Sequence, residues 1–193
     1  MIRLPIGHSD SRSIIDEKFT FFDKTLFIKK VINERAKVIL ITRPRRFGKT
    51  LNLTMLEYFF AEKVYSIPTK GLFDGLKISR ETLYEEYQGQ FPVIFVSFKD
   101  VKAESFEKAY EQISSLFIHL YAEFSYLEKS DSLSETQKAF FCRILIREGD
   151  KSDLIKALQV LIECLFAHHK RKPIVLIDEY DTPIHFGSHK GVL

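Results

Sequence analysis

Two short stretches of the sequence carry residue types able to handle a magnesium nucleotide. Arg43-Pro44-Arg45-Arg46-Phe47-Gly48-Lys49-Thr50 ends in Gly-Lys-Thr, the tail of a phosphate-binding loop. Ile174-Val175-Leu176-Ile177-Asp178-Glu179 runs four aliphatic residues into an acidic pair, the form of a magnesium-holding strand. A phosphate loop works because successive backbone N–H groups point at phosphate oxygens from the positive end of a helix. Gly48 would let the backbone approach without a Cβ. Lys49 would set a mobile ammonium on the β and γ phosphates, and the Thr50 hydroxyl would ligate Mg2+. Arg45, Arg46 and Phe47 complete the candidate nucleotide contacts. Asp178 would hold Mg2+ directly or through water, and Glu179 would polarise the attacking water as the catalytic base. The chemistry implied is Mg2+-dependent ATP binding, with hydrolysis as the reaction.

The first stretch departs from the general G-x-x-x-x-G-K-[ST] spacing at Arg43, where a glycine belongs. A left-handed backbone costs arginine roughly 1–2 kcal/mol, so the loop must start in another backbone state or accept strain. A basic surface patch or localisation tract of Arg43, Arg45 and Arg46 is the bland alternative. Such a tract needs neither an aliphatic run before it nor an apolar-faced helix after it. Asp178-Glu179-Tyr180-Asp181 could likewise be a solvated strand end, with Asp181 either supporting the metal or turning the chain before Pro183. His168-His169 reads as a helix C-terminal cap rather than a metal site, and Lys170-Arg171-Lys172 as a solvated loop.

The elements that must position these groups follow from periodicity. Val38-Ile39-Leu40-Ile41-Thr42 reads as a strand buried on both faces ahead of the loop, as in parallel sheets covered by helices. Leu51, Leu53, Met55, Leu56, Phe59 and Phe60 continue it as a helix. Asp23-Lys24-Thr25 introduces a short amphipathic helix ending near Arg35. Residues 1–23 wrap the surface, and residues 64–90 form an irregular connection with one short helix around 80–87. Residues 93–98 are a second buried strand. Phe106, Tyr110, Ile113, Phe117, Leu120, Tyr121 and Phe124 give a long amphipathic helix. Further helices cover roughly 134–147 and from Ser152 or Asp153 to His168. Pro173 then starts the strand that carries Asp178, whose carboxylate falls at the carboxyl end, where open α/β sheets bind ligands. The order is α/β with a mostly parallel sheet.

Composition sets outer limits. The 193 residues, 45% hydrophobic and 28% charged, suit one sizeable soluble core. A net charge of +3 from 29 basic and 26 acidic residues argues for no particular anionic partner. Cys142 and Cys164 fit no metal or redox spacing and read as reduced core residues. Most of the 18 Phe fall at helix or strand spacing and read as core. No signal-like run opens the chain and no apolar stretch nears the ~20 residues that cross a bilayer. A cytoplasmic domain without membrane contact is expected.

Residues 43–50, with Asp23-Lys24-Thr25 upstream, Phe91-Pro-Val-Ile94 and Ser97-Phe98 between, and Leu176-Ile-Asp-Glu-Tyr-Asp-Thr-Pro183 downstream, resemble the AAA-ATPase-like family of bacterial and archaeal proteins. Arg43 matches that family's pattern. The resemblance covers about residues 4–184 and implies a P-loop ATPase of three-layer α/β sandwich type, with Lys49, Thr50, Asp178 and Glu179 in the roles given. Members commonly carry a PD-(D/E)XK-type nuclease-like domain after the ATPase region, and nucleic acid enters as a partner on that association alone. No Glu-x-Lys or Gln-x-Lys occurs here. The expectation is therefore a single domain over 1–193, the N-terminal part of the family pattern, with a sheet left incomplete at its C-terminal end. In P-loop ATPases of this division a later strand lies between the loop strand and the Asp-Glu strand. A downstream segment or a protein partner would complete the sheet. A module that holds ATP without turnover, or an inactive remnant, is the competing function.

Overall fold

The computed structural model describes residues 4–5, 7–34, 36–42, 47–102 and 105–182. They divide into two units, residues 1–93 and 94–193.

In the first unit, Asp10 opens helix α1 (Ser11–Asp16) by accepting from the N–H groups of Arg12 and Ser13 at 3.4 and 3.2 Å. Helix α2 (Leu26–Asn33) buries Ile28 fully. Helix α3 (Lys49–Phe60) buries Asn52, Leu53, Met55, Leu56, Tyr58, Phe59 and Phe60. Phe59 meets Phe60 and Phe73 edge-on at centroid distances of 5.2 and 5.4 Å, and burying each such ring is worth about 1.5–3 kcal/mol. The α1 segment packs along α3. Thr54 Oγ1 accepts the Ser11 N–H at 3.1 Å and lies 3.3 Å from the Ser9 carbonyl and 3.1 Å from that of Leu51. Strands β1 (Lys63–Val64) and β2 (Ile67–Pro68) form an antiparallel hairpin with Val64 opposite Ile67. A 3-10 turn (Lys77–Arg80) and helix α4 (Tyr84–Tyr87) complete the unit.

In the second unit, strand β3 (Val93–Ser97, beginning on the last residue of the first unit) pairs in parallel with β4 (Ile174–Asp178). Between them in sequence come α5 (Phe106–Glu123), a 3-10 turn (Ser125–Lys129), α6 (Glu135–Leu145) and α7 (Lys151–His169). Each helix starts on a cap. Ser105 accepts from Lys108, Ser134 and Gln137 form a reciprocal capping box, and Asp150 accepts from Asp153. Ile94, Val96, Tyr121, Phe141, Leu161 and Leu165 share one core. Arg143 binds Asp153 through two nitrogens at 3.1 and 3.2 Å, fixing α6 to α7. Cys142 and Cys164 are both free thiols, Cys164 buried.

Several expectations are corrected. Residues 38–42 form no strand, and Val38 and Leu40 are 82% and 63% exposed. β-branched residues favour an extended backbone only when a ladder and a covering layer reward it, and none does so among the described residues. The strand carrying Asp178 is not apolar-buried on both faces. Ile177 is 41% exposed while Leu176 and Asp178 are buried, because successive side chains point to opposite faces and the Ile177 face is the less covered one. The sheets are two-stranded, and a larger parallel sheet is not formed among the described residues. Residues 11–16, within the stretch read only as wrapping the surface, form a helix that buries Ser11 and Ile14.

Candidate functional site

The first group of site residues is built by the start of α3. Gly48 is its N-cap at φ 71°, ψ 31°, and its carbonyl accepts the Asn52 N–H at 3.0 Å. That left-handed conformation is what demands glycine. A Cβ there would meet only the Leu51 Cβ, at 4.0 Å. Lys49 and Thr50 are the first two helical residues and both are half-buried. Their N–H groups belong to the first turn, which no intrahelical carbonyl satisfies and where the helix dipole is positive. An anion with several oxygens suits that end of a helix. No acidic residue sits in the first turn to compete for it. Phe47, a predicted nucleotide contact, is exposed. Arg43, Arg45 and Arg46 lie outside the described residues.

The second group sits at the carboxyl end of β4. Asp178 is 1% exposed, its backbone carbonyl accepts the Phe98 N–H at 3.0 Å, and its Oδ1 accepts the Glu179 N–H at 3.1 Å. The chain turns sharply there. Glu179 has φ 54°, uncommon for a side chain of its size, and its carbonyl accepts the Thr182 N–H at 3.0 Å. Thr182 Oγ1 lies 3.5 Å from Glu179 Oε2. The turn therefore fixes the direction of the Glu179 backbone immediately after the buried carboxylate. Such an oxygen donor set, a buried carboxylate followed by a second one, is of the type hard cations prefer. Lys49 and Thr50 belong to the first unit, and Asp178 and Glu179 to the second.

Other singled-out residues are placed as follows. The Asp23-Lys24-Thr25 triplet is structural at its two ends. Asp23 Oδ2 accepts the Lys77 N–H at 2.8 Å, and Thr25 Oγ1 accepts the Ile78 N–H at 3.1 Å. His168 and His169 end α7, with His168 Nδ1 2.7 Å from Ser130 Oγ and His169 Nε2 2.8 Å from Tyr126 Oη. Groups of three or more His, Cys, Asp or Glu arranged to hold a metal are absent among the described residues. Sequence reasoning passed over Thr54, one turn after Thr50, which ties residues 9–11 to α3. A threonine inside an apolar-faced helix, preceded far upstream by an Asp-Ser-x-Ser cap, was the available signal. No described helix is long and apolar enough to cross a membrane.

The sequence model of the AAA-ATPase-like family, described as "Predicted AAA-ATPase", matches residues 5–191. Neither the curated proteins nor the solved structures gave a match to the chain.

Proposed function

We propose that this chain, which belongs to the AAA-ATPase-like family, binds ATP with Mg2+. The observation that carries the reading is the start of α3. A left-handed glycine is followed directly by Lys49 and Thr50 in a helical first turn free of acidic side chains. Lys49 supplies a charge-assisted contact to the β and γ phosphates, and the first-turn N–H groups orient them. Thr50 and Asp178 are the groups offered to Mg2+, which supplies charge neutralisation on the phosphates. Phe47, Arg45 and Arg46 are further nucleotide contacts in this reading. Glu179 orients and polarises the water that attacks the γ phosphate. Calorimetric titration of the chain with Mg-ATP tests the reading. Lys49→Ala is expected to weaken binding about ten- to a hundred-fold, the equivalent of roughly 1.5–3 kcal/mol for one charge-assisted contact. Equal affinity for the two proteins would sink it.

A second reading, nucleotide binding without turnover, is favoured by one observation. Residues 38–42, which lead into the loop, lie mostly exposed, and among the described residues they join no ladder and β4 has a single strand neighbour. Here an added apolar strand, from a protein partner or a further segment, completes the sheet before hydrolysis can occur. ATP turnover by the chain alone, dependent on Lys49, would exclude this reading.

A further inference from the structure

A cavity of about 430 Å3 opens in the second unit beside α5 and the turn that joins α6 to α7. That volume lies within the range of roughly 300–1,000 Å3 typical of small-molecule sites. Tyr110, Glu111, Ser114 and Ser115 line it from one face of α5, spaced as neighbours on a helix surface must be. Ile118, Ile144 and Leu154 give it an apolar part, and Arg147 lines it from the turn.

The turn is built tightly. Arg147 and Glu148 donate their N–H groups to the carbonyls of Ile144 and Arg143 at 3.3 and 2.9 Å, a Schellman closure of α6. Arg147 occupies the left-handed position of that closure, φ 64°, which glycine fills at less cost. Gly149 follows, and a Cβ there would stand 2.8 Å from Ile144 Cδ1. Lys18 and Lys170 take similar backbone angles at the ends of α1 and α7, so the conformation alone says little. What sets Arg147 apart is that it lines a cavity.

The charges around the cavity are of both signs and are not spent on each other. Arg143 is committed to Asp153, Asp150 caps α7, and Lys151 Nζ stands over the rings of Phe106 and Tyr110 at 4.9 and 5.9 Å. Glu111 and Arg147 are both exposed at the mouth of the cavity and make no ion pair among the described residues. An anion alone would leave Glu111 repelling it, and a cation alone would meet Arg147. A ligand carrying both charges satisfies each.

We propose that this cavity binds a zwitterion of amino-acid to dipeptide size. Its ammonium lies on Glu111, its carboxylate on Arg147, and its apolar side chain against Ile118, Ile144 and Leu154. Ser114 and Ser115 offer hydroxyls to the charged ends. The site is independent of the nucleotide reading.

Thermal unfolding of the whole chain with about 10 mM L-leucyl-L-leucine tests the proposal, because a ligand that binds only the folded state raises Tm. The dipeptide is expected to raise Tm by a few degrees, and N-acetyl-L-leucine amide, which lacks both charges, to leave it unchanged. Arg147→Gly keeps the turn conformation and is expected to fold and to lose the dipeptide response, as is Glu111→Gln. No response in the wild type, an equal response to the blocked analogue, or a full response in Arg147→Gly would each overturn it.

Discussion

Thr25 donates its hydroxyl to Asp23 Oδ1 at 2.6 Å while the same hydroxyl oxygen accepts the N–H of Ile78 at 3.1 Å. The pair thereby joins the start of α2 to the 3-10 turn at Lys77–Arg80, and the Lys29–Glu81 ion pair at 2.6 Å lies on the same junction. Thr25 is almost fully buried. Removing its hydroxyl strands the Ile78 N–H and leaves Asp23 Oδ1 only the Thr25 N–H, so Thr25→Val is expected to cost about 1–3 kcal/mol. A urea midpoint within error of the wild type would refute this role.

The same junction predicts a pH dependence. Burial pushes the Asp23 carboxyl up, but the bonds from the Thr25 hydroxyl and from the Lys77 and Thr25 N–H groups outweigh it and hold Asp23 below its ordinary value of 3.8. The folded value is the lower one, so the contribution to stability is fully present above the unfolded value. It is lost as the pH falls through the folded value. The stability gap between wild type and Asp23→Asn should therefore be constant from neutrality down to about pH 5 and should shrink below pH 4. Unfolding curves at several acidic pH values measure it. A gap that stays constant to pH 2 would show that Asp23 is not held by these bonds.

The β1–β2 hairpin turns through Tyr65 and Ser66 at φ 49° and 65°. Two-residue hairpin loops with both central φ positive favour Asn-Gly, and the second position is the glycine one. Ser66→Gly is expected to stabilise the protein by about 0.5–1 kcal/mol, as relief of strain outweighs the added freedom of the unfolded chain. An unchanged or lower denaturation midpoint would mean that the serine gains something from its side chain that glycine cannot replace.

In the second unit Tyr121 is fully buried, meets Phe141 at 4.7 Å and donates its hydroxyl to the Ala157 carbonyl at 2.7 Å. Tyr121→Phe keeps the ring packing and deletes one buried hydrogen bond. The Ala157 carbonyl lies in mid-helix, where α7 offers it a second donor, so the loss should stay near about 1 kcal/mol rather than the larger cost of an orphaned group. A loss above roughly 3 kcal/mol would show that the hydroxyl holds α5 and α7 together by more than one bond.

What the sequence made legible is what local periodicity and capping determine. α2 reaches Asn33 against a reading near Arg35, and α3 begins on Lys49, two residues inside the stretch read as the loop (43–50). The helices 106–123, 135–145 and 151–169 fall where three-and-four spacing put them. β4 starts just after Pro173 and ends on Asp178 as read. Residues 38–42 failed because strand formation depends on a neighbour, which no five-residue window contains. Helix α1 was missed because its six residues show no apolar stripe, and its anchor, Thr54, lies about forty residues away. The hairpin was hidden by Tyr65-Ser66, which is not turn chemistry. On the site side, a helix that follows Gly48 and the strand end at Asp178 follow the sequence. The strained φ of Glu179 and the structural use of Asp23 and Thr25 depend on tertiary contacts.

Asp178 and Glu179 are adjacent yet placed differently, which makes them separable by experiment. Asp178 is buried at the end of a ladder, with its carboxylate accepting the next N–H, whereas Glu179 is half-buried on the turn that follows. In the proposed roles the first acts on Mg2+ and the second on water. Asp178→Asn should keep the fold, since an amide oxygen can still accept the Glu179 N–H, but should reduce the difference in ATP affinity measured with and without Mg2+. Glu179→Gln should leave that difference intact and remove any hydrolysis, because the amide orients water without drawing off its proton. Titration with and without Mg2+, together with phosphate release, reads both. Hydrolysis that survives Glu179→Gln undiminished would remove Glu179 from the water-polarising role. A Mg2+ dependence unchanged in Asp178→Asn would remove Asp178 from the metal.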